Sequence, residues 1–301
     1  MEPTIVTLTS YPARINSVYK TINSLINQSI KPTKIILWLA DSQFPGKEDD
    51  LPELLTRLSS PLFEIKWCED MKSYKKLIPA LTQFRNFNLV TADDDIIYPQ
   101  DWLEKLYTAY LQTSSEKIIW CHRAHIIKLT DGTIEQYKNW DMKCYDTTPS
   151  VRVFCTTGGG VFFPRNCFDR YLPDDYMELC PTADDIWFWG MLVLNGYKIS
   201  VVKNPMRGLE LNGAPQDEAL WLKNITSQND ISLQNLFHKY PEILDKVIHS
   251  EIPEFKKFGR RKKKILGILP LKYFLIVKPI VDFILPIGSS RRELVKRLFR
   301  G

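Results

Sequence analysis

From Thr4 to Gln112 the chain alternates short apolar, β-branched runs with amphipathic stretches, and nothing else in the sequence constrains the fold as strongly. "TIVTLTS" opens as a strand, and Pro12 breaks the loop "YPARI" that follows it. "NSVYKTINSLINQ" then puts Val18, Ile22, Leu25 and Ile26 on one helical face, with Asn16 or Ser17 as N-cap. After the turn "KPTK", the run "KIILWLAD" is continuously apolar, as a strand buried on both faces requires. The order repeats, with "LPELLTRLSS" as helix, "FEIKWCE" as strand, "SYKKLIPALTQF" as helix, "FNLVTADDD" as strand and "DWLEKLYTAYLQ" as helix. Successive βα units predict an α/β fold with a doubly wound, mostly parallel sheet. Ligands of such sheets bind beyond the carboxyl ends of the strands. The middle of the chain is less regular. "KIIWCHRAHIIKL" reads as one long strand or two, and "DGT" as a hairpin turn. "VFCTTGGGVFFP" reads as a strand broken by three glycines, and "PTADDIWFWGMLVLNGYKI" as a helix, Gly196 and a strand.

An apolar fraction of 44% with 12% aromatic residues provides a real core and excludes disordered and collagen-like classes. The six cysteines, at 68, 121, 144, 155, 167 and 180, form no C-x-x-C pair, so they read as buried or free thiols in a reducing compartment. No basic and apolar leader precedes the first strand, and the expected location is the cytoplasm. Charge divides the chain. Residues 256–301 hold fourteen Lys/Arg against Asp282 and Glu293, a local +12, which leaves −7 for residues 1–255 out of a total of +5. The expected organisation is therefore an acidic folded domain over 1–255 and a basic, apolar tail over 256–301.

Two acidic groups are the candidates for chemistry. Asp93, Asp94 and Asp95 end the apolar run "NLVTA", where like charges repel. Two carboxylates one residue apart at a strand end can hold a divalent cation against a diphosphate, since magnesium and manganese take hard oxygen ligands. The alternative is a solvated turn placing acids at the start of the next helix. Asp184 and Asp185 open another predicted helix, either as caps or with one of them as a general base. Gly158, Gly159 and Gly160, about 25 residues upstream, let the backbone approach a ligand closely, although they match neither G-x-G-x-x-G nor a P-loop. Trp187 and Trp189 read as core, and the four histidines are scattered.

The opening "SYPARINSVYKTINSLINQS", the stretch "VTADDDIIYP", the segment "TTGGGVFFPRNCF" and the run "ADDIWFWGMLVLNGYKI" together resemble inverting glycosyltransferases of the GT-A fold, family 2. The resemblance spans roughly residues 4 to 204. "TSYPARI", "IILWLADSQFP", "SYKKLIPAL" and "DDIWF" are similar to a bacterial subgroup associated with capsule and lipopolysaccharide synthesis. The resemblance implies a nucleotide-sugar donor, a UDP-sugar first of all. Asp93 then matches the first D-x-D position, which contacts ribose or a metal-bound water, Asp94 lies between on the donor side, and Asp95 matches the metal ligand. Manganese or magnesium is the implied cofactor. Asp185 matches the general base, with Asp184 in place of the family's Glu and the choice between the two open. Asp41 matches the base-contacting position, though the turn here reads "ADSQFPG" where the family has an Asp-Gly-Ser-like sequence. Lys75 and Lys76 are placed to neutralise the diphosphate or stand solvated at a helix start, and Arg14 to cover the nucleotide base. The Arg-rich motif of polymerising synthases is missing, which implies transfer of one sugar.

The tail reads "KKFGRRKKK", then an apolar run from Ile265 to Gly288, then "SSRRELVKRLFRG". The run is long enough to span a bilayer, but Pro270, Pro279, Pro286, Lys272, Lys278 and Asp282 interrupt it and basic clusters flank both ends. A helical tail lying in the membrane plane is expected, holding the protein at the inner face of the cytoplasmic membrane near a glycan or lipid-linked acceptor. No nucleic-acid partner is expected. A sugar nucleotidyltransferase and a non-catalytic membrane-bound scaffold are the alternatives.

Overall fold

The computed structural model describes residues 1–206, 208, 210–215 and 227–257, with the pairs 264–265 and 269–270. Two compact units divide the chain, Met1–Phe258 and Gly259–Gly301. In the first, seven strands among the described residues form one sheet: β1 (Thr4–Thr9), β2 (Lys34–Ala40), β3 (Phe63–Cys68), β4 (Asn88–Thr91), β5 (Ile118–Cys121), β6 (Val161–Phe163) and β7 (Lys198–Val201). Their spatial order is β3-β2-β1-β4-β6-β5-β7. All pairings are parallel except those of β6, which runs antiparallel to both β4 and β5. The expected doubly wound, mostly parallel sheet is thus observed.

Period-2 alternation sorts each strand between two cores. Ile36 and Trp38 of β2 enter one apolar cluster while Ile35, Leu37 and Leu39 enter the other, and Val161 and Phe163 flank Phe162 in the same way. The helix α1 (Val18–Ile26) buries Val18, Ile22 and Leu25 on the second face, as its periodicity requires. Beyond it come α2 (Glu53–Thr56), α3 (Ile78–Gln83), α4 (Trp102–Gln112), α5 (Tyr176–Leu179) and α6 (Asp184–Leu194). The last two helices of the unit are α7 (Asn229–Lys239) and α8 (Pro241–Ile248). On the first face α6 carries Ile186, Trp187, Phe188 and Trp189, all buried. Gly190 lets α7 and α8 close on α6, since a Cβ there would press on Leu236 and Ile243.

Some elements are shorter than the pattern suggests. "LPELLTRLSS" yields only the single turn of α2. "SYKKLIPALTQF" is split at Leu77 into a 3₁₀ segment, Lys72–Lys76, and α3. Pro79 explains the split, because it has no N–H to continue a helix from upstream and suits a first turn. "KIIWCHRAHIIKL" makes two strands, β5 and Ala124–Ile126, of which the second joins a small antiparallel sheet with Val153–Cys155, Asp141–Tyr145 and Lys256–Lys257. "DGT" turns a hairpin with Asp131 and Gly132 both at positive φ, as a tight two-residue turn demands.

Lys256 and Lys257 pair with Tyr145 and Cys144, so the first unit runs past residue 255. In Gly259–Gly301 the described pairs 264–265 and 269–270 are extended and face each other antiparallel, not helical. The rest of the tail, and with it the expected membrane-bound helix, lies outside the described residues. Among the described residues no helix is long and apolar enough to cross a membrane. All six cysteines are free thiols, as their spacing predicts.

Candidate functional site

At the carboxyl ends of β1 and β4 lies a cavity of about 860 Å³. Both acidic groups open into it, together with Ser10, Arg14, Lys75, Lys76 and Thr157. The two groups are 90 residues apart in sequence and come together because β4 and β6 are neighbours in the sheet.

The acidic triplet follows β4 directly, and its backbone is fixed from several sides. The Asp93 N–H donates to the Tyr98 hydroxyl (2.8 Å), which donates to the Gly158 carbonyl (2.8 Å). Thr21 Oγ1 and Asn212 Nδ2 donate to the Asp94 carbonyl (3.1 and 2.8 Å). The three side chains then part. Asp94 turns inward, accepting from Arg14 Nη1 (2.8 Å) and Ser10 Oγ (2.6 Å). Burial pushes its carboxyl up to about 6 against the opposing pull of Arg14 and Ser10. Asp95 also pairs with Arg14, at 3.1 Å, and Asp93 pairs with Lys76, at 2.7 Å. Interleaved cations therefore relieve the repulsion that three adjacent carboxylates create.

Asp184 and Asp185 stand in the first turn of α6. The N-cap is Ala183 and no side chain caps the helix, so capping is not their role. Asp184 is buried with Oδ2 3.4 Å from Lys76 Nζ. Asp185 Oδ1 accepts from both the Thr157 N–H (2.8 Å) and Thr157 Oγ1 (2.6 Å). Burial and the neighbouring Asp184 charge push Asp185 up to about 6, with Lys76 and the Thr157 hydrogen bonds working against them.

Lys75 and Lys76 are not solvated. Lys75 Nζ pairs with Asp70 at 2.5 Å, and Lys76 is 5% exposed. Lys76 Nζ donates to Asp93 Oδ1 and to Thr157 Oγ1 (3.0 Å). Burial opposes its charge, but Asp184, Asp93 and Asp185 around it raise its pKa and hold it protonated. One buried ammonium thus ties the strand-end acids to the helix-start acids.

The glycines act on side chains. A Cβ at Gly158 would overlap Asp93 Oδ2, one at Gly159 would strike Arg123 Cβ, and Gly160 (φ 102°) packs on the Trp102 indole. Of the three only Gly158 borders the cavity. Asp41 departs furthest from expectation. It starts the 3₁₀ segment Asp41–Gln43, is exposed, pairs with Lys47 and does not line the cavity. A residue in that turn that does border the cavity is Gln43. Ser10, Asp70, Tyr98 and Thr157 carry much of the geometry and give no sequence signal beyond their place beside the quoted motifs.

Among the described residues no group of three or more His, Cys, Asp or Glu is arranged to hold a metal by protein ligands alone. A hard cation that keeps water and phosphate oxygens needs only one or two carboxylates. Asp95 and Asp93, both bordering the cavity, fit that smaller donor set.

No protein-family model matches the chain, and no curated protein matches it. Among solved structures it is similar to residues 1–349 of TarS from S. aureus, at 15% identity over 80% of this chain and 72% of that one, with a TM-score of 0.43. The same TarS segment in complex with UDP-GlcNAc matches at 13% identity over 80% and 73%, with a TM-score of 0.46. Similarity at this level leaves the function to be read from the site itself.

Proposed function

We propose that this protein is an inverting glycosyltransferase that moves a single sugar from a UDP-linked donor to an acceptor hydroxyl. The observation that carries this reading is the convergence of Asp93–Asp95 and Asp184–Asp185 on one cavity through Lys76. In this reading the donor diphosphate lies against the strand-end acids, where Asp95 with Asp93 would hold manganese or magnesium. Such an ion supplies positive charge to the departing diphosphate. Asp185 accepts the acceptor's proton as its oxygen attacks the anomeric carbon. The bond from that carbon to the diphosphate breaks on the opposite face, and a nucleoside diphosphate leaves. A carboxyl raised to about 6 suits a base that must accept a proton near neutral pH. Thr157 and Lys76 keep it oriented.

The acceptor in this reading is a glycan, lipid-linked at the inner face of the cytoplasmic membrane, in capsule or lipopolysaccharide synthesis. The basic, apolar sequence of residues 256–301 is the reason for placing it there. Hydrolysis of a panel of nucleotide-sugars, with manganese and without, tests the reading. A UDP-sugar is expected to turn over, and Asp185→Asn is expected to lower kcat by about 10²-fold or more with donor affinity nearly kept. Release of pyrophosphate would instead identify a nucleotidyltransferase, and absence of any nucleotide binding a scaffold.

A further inference from the structure

The cavity has a second half that the donor reading leaves unused. Its wall comes from the small antiparallel sheet, where His125 and Phe154 are cross-strand partners with stacked rings, and Tyr137 meets both edge-on. All three border the cavity, as do Arg123, Lys143 and Thr156. The three rings are buried, at 3%, 1% and 8% exposure for His125, Phe154 and Tyr137, so they pack on one another as the rigid backing of this wall.

Two polar atoms on this wall lack partners. Arg123 Nε and Thr156 Oγ1 are both buried with no hydrogen bond, and Thr156 is only 5% exposed. Buried polar atoms are ordinarily satisfied, so a pair left open beside a cavity points to a ligand. The chemistry of the missing partner follows from what is present. Arg123 can only donate, and Lys143, an exposed residue that also borders the cavity, adds a second cation. Among the described residues neither Arg123 nor Lys143 forms an ion pair. His125 Nδ1 accepts from the Lys143 N–H (3.0 Å), which leaves Nε2–H as its donor, and burial keeps the ring neutral. Donors and cations together call for an oxyanion.

The same short segment sets this wall beside the proposed base. The Thr156 N–H donates to the Arg123 carbonyl (3.1 Å), Thr157 holds Asp185, and Gly159 admits the Arg123 side chain. Resting on the glycosyltransferase reading, we propose that Arg123, Thr156 and Lys143, with His125, Tyr137 and Phe154, form the acceptor subsite, and that the acceptor sugar carries a phosphate or carboxylate.

Calorimetry on the full chain saturated with UDP tests this without requiring turnover. Glucose 6-phosphate, glucuronate and glucose are the probes. The expected result is that at least one anionic sugar binds about 10- to 100-fold more tightly than glucose. Which of the two does so tells phosphate from carboxylate. Arg123→Met and Thr156→Val are expected to remove that preference, and Arg123→Lys to restore part of it. Lys143→Asn, at an exposed position with positive φ that Asn tolerates, gives the same loss in milder form without touching the interior. Equal binding of all three sugars, or an anion preference that survives in Arg123→Met and Lys143→Asn, overturns the subsite. Failure of every nucleotide-sugar to turn over would count against the glycosyltransferase reading while the anion preference stood.

Discussion

Lys76 shows how much a single side chain can decide. Its sequence context, a lysine pair ahead of an amphipathic stretch, reads equally as solvent-facing charge, because the acids that bury it arrive 17 and 108 residues later, at Asp93 and Asp184. Replacing it by methionine keeps the stem and removes the charge, leaving Asp93, Asp184 and Asp185 to repel one another. The expected destabilisation is on the order of 3 kcal/mol, measured by chemical denaturation at neutral pH, with part of it recovered in Lys76→Met/Asp184→Asn. Turnover gives an independent readout. Asp185 titrates at about 6 in the fold against 3.8 as a free side chain. Because the folded value is the higher, ionising this group costs stability, and the cost sets in as pH rises from about 3.8 to about 6. Activity has the opposite dependence, because the base works only when ionised. Its rate should rise through an acid limb near pH 6. Losing Lys76 removes the cation that lowers this pKa, so the limb is expected to move to higher pH. A limb unmoved in Lys76→Met would mean that another group is the base.

At the scale of elements, the sequence reports directly whatever depends on local pattern. The βα alternation, the buried faces of α1 and α6 and the turn at Asp131-Gly132 all arise from neighbours in sequence. The order of the sheet does not. β6 inserts antiparallel between β4 and β5, and this alone brings the glycine segment against the acidic triplet. The three glycines are visible in the sequence as a flexible stretch for approaching a ligand, whereas their neighbours prove to be Asp93, Arg123 and Trp102. Asp41 illustrates a related limit: its position after β2 is legible in the sequence, but the direction of the 3₁₀ turn that follows, and the pairing with Lys47, are not. The segment makes a separable prediction. Gly158→Ala overlaps only the end of the Asp93 side chain, so the fold should survive while the Lys76–Asp93 contact is displaced. Donor KM should rise by about tenfold, the scale of one charge-assisted hydrogen bond. Gly159→Ala presses on Arg123 instead and should act on the acceptor. Identical kinetic effects from the two substitutions would contradict this division of the cavity.

At the scale of the molecule, the contrast between a body of −7 and a tail of +12 bears on where the protein works. The first two tail lysines belong to the first compact unit: Lys256 pairs with Asp146 at 2.5 Å, Lys257 pairs with Asp141, and both sit on the edge of the small sheet that carries the aromatic wall. Deleting residues 259–301 spares these contacts and every residue proposed for the site, but removes twelve of the fourteen tail Lys/Arg and the apolar run. Near an anionic surface each such cation contributes roughly 1 kcal/mol, and buried Leu, Ile and Phe add to it. The full chain is therefore expected to float with anionic vesicles, increasingly so as their anionic-lipid content rises, and the truncated chain to stay behind. Donor hydrolysis should continue after truncation, while transfer to a lipid-linked acceptor falls far more than transfer to a soluble analogue. A further cut that removes Lys256 and Lys257 takes away the edge of the sheet behind the proposed acceptor wall, and should weaken acceptor binding even in solution. Equal flotation of the full and truncated chains would show that these cations and the apolar run do not hold the protein on a membrane.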